Sequence, residues 1–156
     1  MRPNDMKYVA VHGFFVNKKN QLLLLERKET GYMDGYFSVP AGHNESQERV
    51  TDAMTREIKE EIGISVQVSM KNLKHVMLRM RDDREYIDYF FLFKLWKGKI
   101  VNKEPSKCAQ LKWVNASTLP KKTIQYITYA WEKIQHGEPF SQVAEKDGRL
   151  ILKPRS

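Results

Sequence analysis

The residues best suited to chemistry are carboxylates crowded into one stretch, residues 42–64. This stretch, GHNESQERVTDAMTREIKEEIGI, holds six acidic and three basic side chains, whereas the whole chain of 156 residues carries a net charge of +8. Like charges that crowd together repel one another, so an acidic segment in a basic protein indicates a local partner of positive charge. The six carboxylates belong to Glu45, Glu48, Asp52, Glu57, Glu60 and Glu61.

The acidic stretch is predicted to form a helix. We expect Asn44 to cap it, with Gln47 three residues later as the partner in the cap. Gly63 is expected to end the helix in the left-handed conformation, which a glycine adopts easily. These limits give a helix of about five turns.

Two carboxylates fall on the packing face of this helix. At about 100° per residue, Val50, Ala53 and Met54 form an apolar stripe that also contains Glu57 and Glu61. A solvated helix is the usual meaning of a run rich in Glu and Lys, but such a helix turns its charges away from the stripe. We therefore expect a cation among the carboxylates. Ligands that are all oxygen favour a hard cation such as Mg²⁺ or Mn²⁺.

The same residues resemble the Nudix box of the MutT/Nudix hydrolase family. The match consists of Gly42, Glu48 and the nine-residue block REIKEEIGI at 56–64, at the spacing of the box. Such a pattern is far more specific than a short glycine-rich motif. The resemblance implies hydrolysis of nucleoside diphosphates linked to another moiety. It also implies the fold, an α/β (α+β) protein in which one domain over residues 1–156 forms an α/β/α sandwich with a mixed β-sheet.

The resemblance implies which groups hold the metal. The carbonyl of Gly42 and the carboxylates of Glu57, Glu60 and Glu61 match the positions that bind Mg²⁺ or Mn²⁺ in the family. Many family members carry two glycines where this chain has Ala41 and Gly42. Because Gly42 itself is kept, its carbonyl is still expected to reach the metal.

The resemblance also implies catalytic roles outside the metal ligands. Either Glu60 or Glu104 takes the proton from the attacking water, because better-known members carry a glutamate in the loop where Glu104 lies. Arg56 is assigned with the catalytic residues, and Glu48 supports it from a position behind the metal ligands. Together they are expected to steady the helix and its carboxylates.

Three residues are predicted to contact the substrate: Arg27, Arg79 and Asp88. Arg27 stands at the end of a predicted strand and can grip a phosphate with two hydrogen bonds, although an exposed arginine without a special role is the alternative. Asp88 lies between aromatic residues in a strand and can accept hydrogen bonds from a nucleobase edge. Its alternative role is to pair with Arg79 or Arg81 across a hairpin.

The remaining elements are read from apolar patterns. Residues 7–16 and 21–27 are predicted to form an antiparallel hairpin, and the apolar run at 22–25 indicates a strand covered on both faces. Residues 115–120 are expected to cap and open the last helix. Further strands are predicted at 36–39, 64–80, 85–96, 110–114 and, at an edge, 149–152, with the last helix at 123–136.

Composition narrows the class of protein and the cellular compartment that we expect. Cys108 is the only cysteine, which excludes a disulfide framework and a cysteine-based zinc site and favours the cytosol. The apolar run at 8–16 is too short for a membrane span. The basic remainder suits a polyanion, either a nucleotide or, less favoured, a nucleic acid. A dimer is possible, but the sequence leaves the oligomeric state open.

The function predicted from these residues is metal-dependent hydrolysis of a nucleoside triphosphate to a monophosphate and pyrophosphate. The triphosphate group remains after other substrate classes are set aside by their signature residues. ADP-ribose-cleaving members tend to carry a proline where this chain has Arg79-Met80-Arg81. The position of the asparagine that reads oxidised guanine in one member falls near Lys122-Thr123 here, so this chain lacks that asparagine. The alternatives are a regulatory module that binds nucleotide or RNA, and an enzyme acting on capped RNA or another nucleoside diphosphate derivative.

Overall fold

The structure is a computed structural model that describes residues 6–151. It contains two β-sheets between two helices, which confirms the predicted α/β/α arrangement. The elements are β1 (Lys7–Phe15), β2 (Gln21–Arg27), β3 (Phe37–Ser38), β4 (Ala41–His43), α1 (Val50–Ile62), β5 (Leu73–Arg81), β6 (Arg84–Phe93), β7 (Cys108–Asn115), α2 (Gln125–Gln135), β8 (Phe140–Lys146) and β9 (Arg149–Ile151).

The larger sheet is mixed, with the strand order β4-β1-β6-β5-β8-β9. In it, β1 runs parallel to β6 and β5 runs parallel to β8, while the other neighbours are antiparallel. The smaller sheet is antiparallel, with the order β3-β2-β7.

The predicted hairpin of β1 and β2 is wrong, because the two strands lie in different sheets. Strand β1 pairs with β6 along its whole length and with β4 from Ala10 to His12, whereas β2 pairs with β3 and β7. What is left of the hairpin is a single bridge between Val16 and Leu22. The polar turn between them carries the chain from one sheet to the other, and Asn17 closes it by accepting the amide protons of Lys19 and Gln21.

The two sheets build a core on each side, as the apolar run at 22–25 predicts. Leu22 and Leu24 of β2 pack into the core beneath α2, whereas Leu23 and Leu25 pack into the core beneath α1. Strand β6 alternates in the same way. Large buried side chains of the α2 side include Phe14, Met77, Phe90 and Ile127, and those of the α1 side include Phe15, Met54, Ile58, Ile62 and Phe91.

Helix α1 begins at Val50, later than the predicted start at Asn44. Residues 44–49 form a loop, because Asn44 donates to the Glu48 carbonyl oxygen instead of capping the helix, and because Gln47 has a positive φ of 62°. The C-terminus is as predicted. Gly63 has φ 75° and donates its N–H to the Lys59 carbonyl oxygen.

Residues 64–69 are not in a strand, although their pattern predicts one. Ile64, Val66 and Val68 pack against the core beneath α1 at alternate positions, but the segment has no strand assignment, and β5 begins only at Leu73 after a short 3-10 turn. Alternation reports which side chains are buried and says nothing about backbone pairing.

The C-terminal region differs most from expectation. Strand β8 lies where the sequence pattern predicts no strand. Strand β9 forms the predicted edge strand at 149–151. Leu152, the last residue of that prediction, lies outside the described residues. Helix α2 begins at Gln125, so the expected opening by residues 115–120 is wrong; there, Asn115 accepts the Ser117 amide proton in a turn. No helix in residues 6–151 is long and apolar enough to cross a membrane.

Candidate active site

Two carboxylates in the C-terminal half of α1, those of Glu57 and Glu61, lie beside the short strand β4. Glu57 and Glu61 are one turn apart and therefore face the same way. The backbone N–H of Ala41 donates to Oε2 of Glu61 at 2.9 Å. This hydrogen bond holds the carboxylate of Glu61 beside strand β4.

Gly42 leaves room for the carboxylate of Glu57 beside β4. A Cβ at this position would overlap the carboxylate of Glu57. Gly42 is one of the residues predicted to bind metal, and the structure gives an independent reason for a glycine here. Any side chain would displace Glu57 from the strand.

Arg56 is the centre of an ionic network around this helix. It donates from Nε and Nη2 to the two carboxylate oxygens of Glu48, at 2.9 Å each, and from Nη1 to Oε1 of Glu57 at 2.7 Å. It also donates to the carbonyl oxygen of His43 at 3.1 Å. The hydrogen bond from Arg56 lowers the pKa of Glu48. Arg56 therefore links the loop before α1 to a predicted metal ligand.

The other two predicted ligands are placed differently from Glu57. Glu60 lies on the solvent side of α1, with 54% of its side chain exposed and its Oε2 3.6 Å from Nη1 of Arg56. Glu61 points inward. Burial raises the pKa of Glu61 well above its ordinary value, and the charges of Glu57 and Glu104 act in the same direction, against the Ala41 N–H.

The pKa of Glu57 is raised as well. Burial raises its pKa although Arg56 opposes the change, and the charges of Glu60 and Glu104 add to the rise. The charge of Glu57 also raises the pKa of Glu61, so the two inward carboxylates disfavour ionisation together in a largely buried site. A bound cation would favour their charged forms.

Glu104 is brought to this cluster by the loop that follows β6. Val101 and Lys103 donate their amide protons to the carbonyl oxygens of Ile62 and Glu61, at 3.0 Å each, so the loop is attached to the end of α1. The side chain of Asn102 accepts the Glu104 amide proton at 3.1 Å. The loop leaves Glu104 close enough to affect the pKa of both inward carboxylates.

The donors fit a hard divalent cation in type, since they are carboxylate and carbonyl oxygens. Within residues 6–151, however, no three His, Cys, Asp or Glu side chains converge closely enough to enclose an ion as they stand. Arg56 holds one oxygen of Glu57, and Glu60 extends into solvent. Rotation of these side chains would be needed to close a metal site around Glu61.

Arg27 is embedded in the loop between β2 and β3. It donates from Nε to the carbonyl oxygen of Tyr32 at 2.6 Å and from Nη2 to Oγ1 of Thr30 at 2.9 Å. Its guanidinium also lies 5.2 Å from the centre of the Tyr32 ring. These contacts hold Arg27 against the loop that follows it. Arg27 is only partly buried.

Asp88 and Arg79 form a buried ion pair, the alternative to direct contact with a nucleobase. Arg79 donates from Nε and Nη2 to the two oxygens of Asp88, at 2.7 Å and 3.2 Å, and from Nη1 to Glu145 at 3.0 Å. His12 is also hydrogen-bonded to Asp88. Burial would raise the pKa of Asp88, but His12 and Arg79 outweigh it and lower the pKa.

Three members of this network were not predicted from the sequence: His12, Tyr32 and Glu145. Glu145 lies in β8, whose residues Ser141, Val143 and Glu145 are buried in alternation. That period of two was present in the sequence, but it is short and mostly polar. Nothing local marks Tyr32, whose hydroxyl donates to Oε2 of Glu145 at 2.6 Å from a loop 113 positions away.

The family model described as the NUDIX domain matches residues 6–131, most of the chain. The chain belongs to the Nudix family. It is a Nudix pyrophosphohydrolase.

Individual relatives of this Nudix enzyme are named for different activities. An 8-oxo-dGTP diphosphatase of Proteus vulgaris is 31% identical over 94 residues, which cover 60% of this chain and 82% of the relative. An ADP-ribose pyrophosphatase of Methanocaldococcus jannaschii is 35% identical over 115 residues, covering 72% of this chain and 64% of the relative.

Solved structures agree on the fold. A MutT Nudix hydrolase from Burkholderia pseudomallei superposes with a TM-score of 0.73 at 24% identity, over 82% of this chain and 98% of that one. Nudix hydrolases generally use divalent metal ions. The oxygen donors of this Nudix box agree in type with that use.

Proposed function

We propose that this Nudix enzyme hydrolyses a nucleoside triphosphate to a monophosphate and pyrophosphate, with Mg²⁺ or Mn²⁺ as its cation. The observation that carries the proposal is the pair of inward carboxylates on α1. Burial raises the pKa of both Glu57 and Glu61. The charge of Glu57 adds to the rise at Glu61, the charge of Glu60 adds to the rise at Glu57, and the charge of Glu104 adds to both. Two buried carboxylates are unfavourable when both are charged, and a bound cation would stabilise their charged forms.

The residues of the box then have separate tasks. Glu57, Glu60, Glu61 and the Gly42 carbonyl would hold the cation, which when bound offsets the phosphate charge and makes water a better nucleophile. Arg56 keeps Glu57 in place by bridging it to Glu48. The bridge restrains a side chain whose exact position matters for catalysis.

A carboxylate must also accept a proton as water attacks phosphorus. Glu60 and Glu104 are both proposed for this task. Glu60 is largely exposed on the helix, and Glu104 is fixed by a loop attached to the end of α1. An oxygen that takes the proton must come within hydrogen-bond reach of the water in the bound complex.

The residues predicted to contact the substrate differ in their accessibility. Arg79 and Asp88 are buried in an ion pair with each other, whereas Arg27 is only partly buried at the end of β2. Arg27 is proposed to contact the phosphates.

A nucleotide panel tests this function. The four canonical deoxynucleoside triphosphates, 8-oxo-dGTP and ADP-ribose are each incubated with Mg²⁺ and with EDTA, and released pyrophosphate, phosphate and monophosphates are separated. Pyrophosphate from a triphosphate is the expected result. ADP-ribose is the second candidate because of the relative at 35% identity, and its turnover in preference to every triphosphate would replace the proposed substrate class.

Nucleic-acid binding is the remaining alternative, since the chain carries a net charge of +8. Binding to a single-stranded RNA with non-hydrolysable ends is measured at several salt concentrations. An extended interface shows log K falling with log salt at a slope of about −0.7 per contacted phosphate. Turnover of a small nucleotide together with weak, shallow RNA binding is expected. Tight, steeply salt-dependent RNA binding without any turnover would contradict the proposal.

A further inference from the structure

The C-terminal hairpin of β8 and β9 lies beyond the matched family region, which ends at residue 131. It is nevertheless built into the main sheet. Strand β8 pairs in parallel with β5, from Val76 opposite Phe140 to Arg81 opposite Glu145. Strand β9 reaches α2 as well, where the Leu150 amide donates to the Gln125 side chain at 2.8 Å.

The hairpin delivers one buried carboxylate, Glu145, whose side chain is 0% exposed. Its two oxygens have different partners. Oε1 accepts a hydrogen bond from Arg79, and Oε2 accepts one from the hydroxyl of Tyr32. Arg79 is held in turn by Asp88 and lies between the rings of Tyr86 and Tyr126, at 4.4 Å and 3.9 Å. Glu145 therefore connects a buried ion pair to a loop residue.

That loop, residues 28–35, is the segment that contains the partners of Arg27, and we call it the Arg27 loop. It is tied together internally, because Asp34 accepts the amide protons of Thr30 and Gly31, at 2.9 Å and 3.0 Å. The carbonyl oxygen of Tyr32 accepts the hydrogen bond from Nε of Arg27. The centre of the Tyr32 ring lies 3.9 Å from the guanidinium of Arg81. One residue thus holds Arg27 with its backbone and Glu145 with its side chain.

The tip of the hairpin touches the same loop. Gly148 has φ 76°, and a Cβ there would overlap the sulfur of Met33. Met33 itself has a positive φ of 51°, so the loop is held in an uncommon conformation at the contact. The hairpin therefore contacts the Arg27 loop at two consecutive residues, Tyr32 and Met33.

We propose that the β8–β9 hairpin positions the Arg27 loop for substrate binding, with Glu145 as the positioning residue. Glu145 touches neither substrate nor reacting atoms; it acts through Tyr32 on Arg27. The inference rests on the proposed function in one respect, that Arg27 contacts the phosphates. It assigns a role in affinity to a segment outside the matched Nudix region.

A purely structural ion cluster is the competing explanation, since a buried ion pair alone is weak proof of function. The two explanations differ in what the Tyr32 hydroxyl does. If Glu145 only stabilises the sheet, removing that hydroxyl lowers stability and leaves substrate affinity unchanged. If Glu145 positions the loop, the same change raises KM while kcat is kept, because the chemistry of the box is untouched.

The test compares Tyr32→Phe with Tyr129→Phe, the same chemical change at a partly buried tyrosine on α2. Loss of a hydrogen bond to a charged group corresponds to about a tenfold effect or more, so KM of Tyr32→Phe should rise about tenfold. Its kcat should stay within about twofold of the parent protein. Tyr129→Phe should change neither constant.

A double-mutant cycle then asks whether the effect passes through Arg27. In the Arg27→Ala background, Tyr32→Phe should raise KM no further, because the group it positions is gone. Gly148→Asn is a second route to the same loop. Asparagine tolerates the left-handed backbone, but its side chain must displace Met33, and it should raise KM in the same manner.

Hydrogen exchange gives a readout that needs no turnover. The amides of Thr30 and Gly31 should exchange faster in Tyr32→Phe than in the parent protein, and unchanged in Tyr129→Phe. Unchanged exchange, additive effects on KM in the cycle, or faster exchange with an unchanged KM would each overturn the proposal. A parent protein that turns over no nucleotide at all refutes the proposed function instead, and the exchange result still decides whether Glu145 positions the loop.

Discussion

Gly42 and Glu57 lie in such close contact that any side chain at position 42 would push the carboxylate of Glu57 out of its present place. A methyl group at 42 would overlap the carboxylate carbon of Glu57. Neither residue carries information about the other in the local sequence. Their contact exists because β4 and the second half of α1 pack side by side.

Replacement of Gly42 by alanine tests this contact. The backbone at 42 accommodates alanine, so Gly42→Ala should keep the fold by circular dichroism while displacing Glu57 and reducing kcat/KM about a hundredfold or more, as a misplacement of about 1 Å does in other enzymes. Gly137→Ala is the control. Gly137 has φ 71°, and apart from its chain neighbours no heavy atom of residues 6–151 would lie within 4 Å of a methyl group there. It should lower the melting temperature and leave activity intact. Equal activity of Gly42→Ala and the parent protein would contradict this expectation.

Metal removal tests the role of the carboxylate cluster. EDTA should abolish hydrolysis, and Mg²⁺ or Mn²⁺ should restore it. Calorimetry gives an independent readout, because a cation that binds only the folded protein adds about 2.7 kcal/mol to the free energy of unfolding at a hundred times its Kd. Full activity in EDTA, or a melting temperature that ignores the cation, would refute a metal site at these residues.

Glu61→Gln separates function from stability. The change preserves shape and removes a charge that the folded protein disfavours, so activity should fall by orders of magnitude while stability in EDTA at pH 7 holds or rises. The raised pKa of Glu61 sets the sign with pH. The folded parent protein binds this proton more tightly than the unfolded chain, and its stability therefore falls as pH rises from the ordinary glutamate pKa through the raised one.

Urea unfolding of both proteins in EDTA measures that difference. The advantage of Glu61→Gln over the parent should be largest near neutral pH, shrink as pH falls, and vanish below about pH 3, where the carboxyl is protonated in both states. A variant that unfolds at every pH, and whose folded fraction remains active, would show instead that the carboxylate is structural.

The proton acceptor is identified by comparing Glu60→Gln with Glu104→Gln. Loss of a general base lowers kcat by about 10²–10⁴ and removes the acidic limb of the pH profile. The variant that shows this pattern while binding Mn²⁺ normally, as measured by electron paramagnetic resonance, has lost the base. Weakened Mn²⁺ binding in either variant marks a ligand, and a residue whose loss changes neither quantity belongs to neither role.

Much of the site follows from the sequence alone. The phase of Glu57 and Glu61 in an apolar stripe, the helix end at Gly63 and the two-sided strand at 22–25 all rest on local periods or on the backbone of a single residue. Such features depend on neighbours within a few positions along the chain. The family was therefore predictable from the box without knowledge of the fold.

Only the tertiary structure decided which elements meet. It separated β1 from β2, it attached residues 101–104 to the end of α1, and it placed Glu145 beside Arg79 and Tyr32. These contacts join residues up to 113 positions apart. Strand pairing and buried ion networks depend on which edges and charges remain open after the rest of the chain has packed, and that is a property of the whole fold, since no local pattern records it.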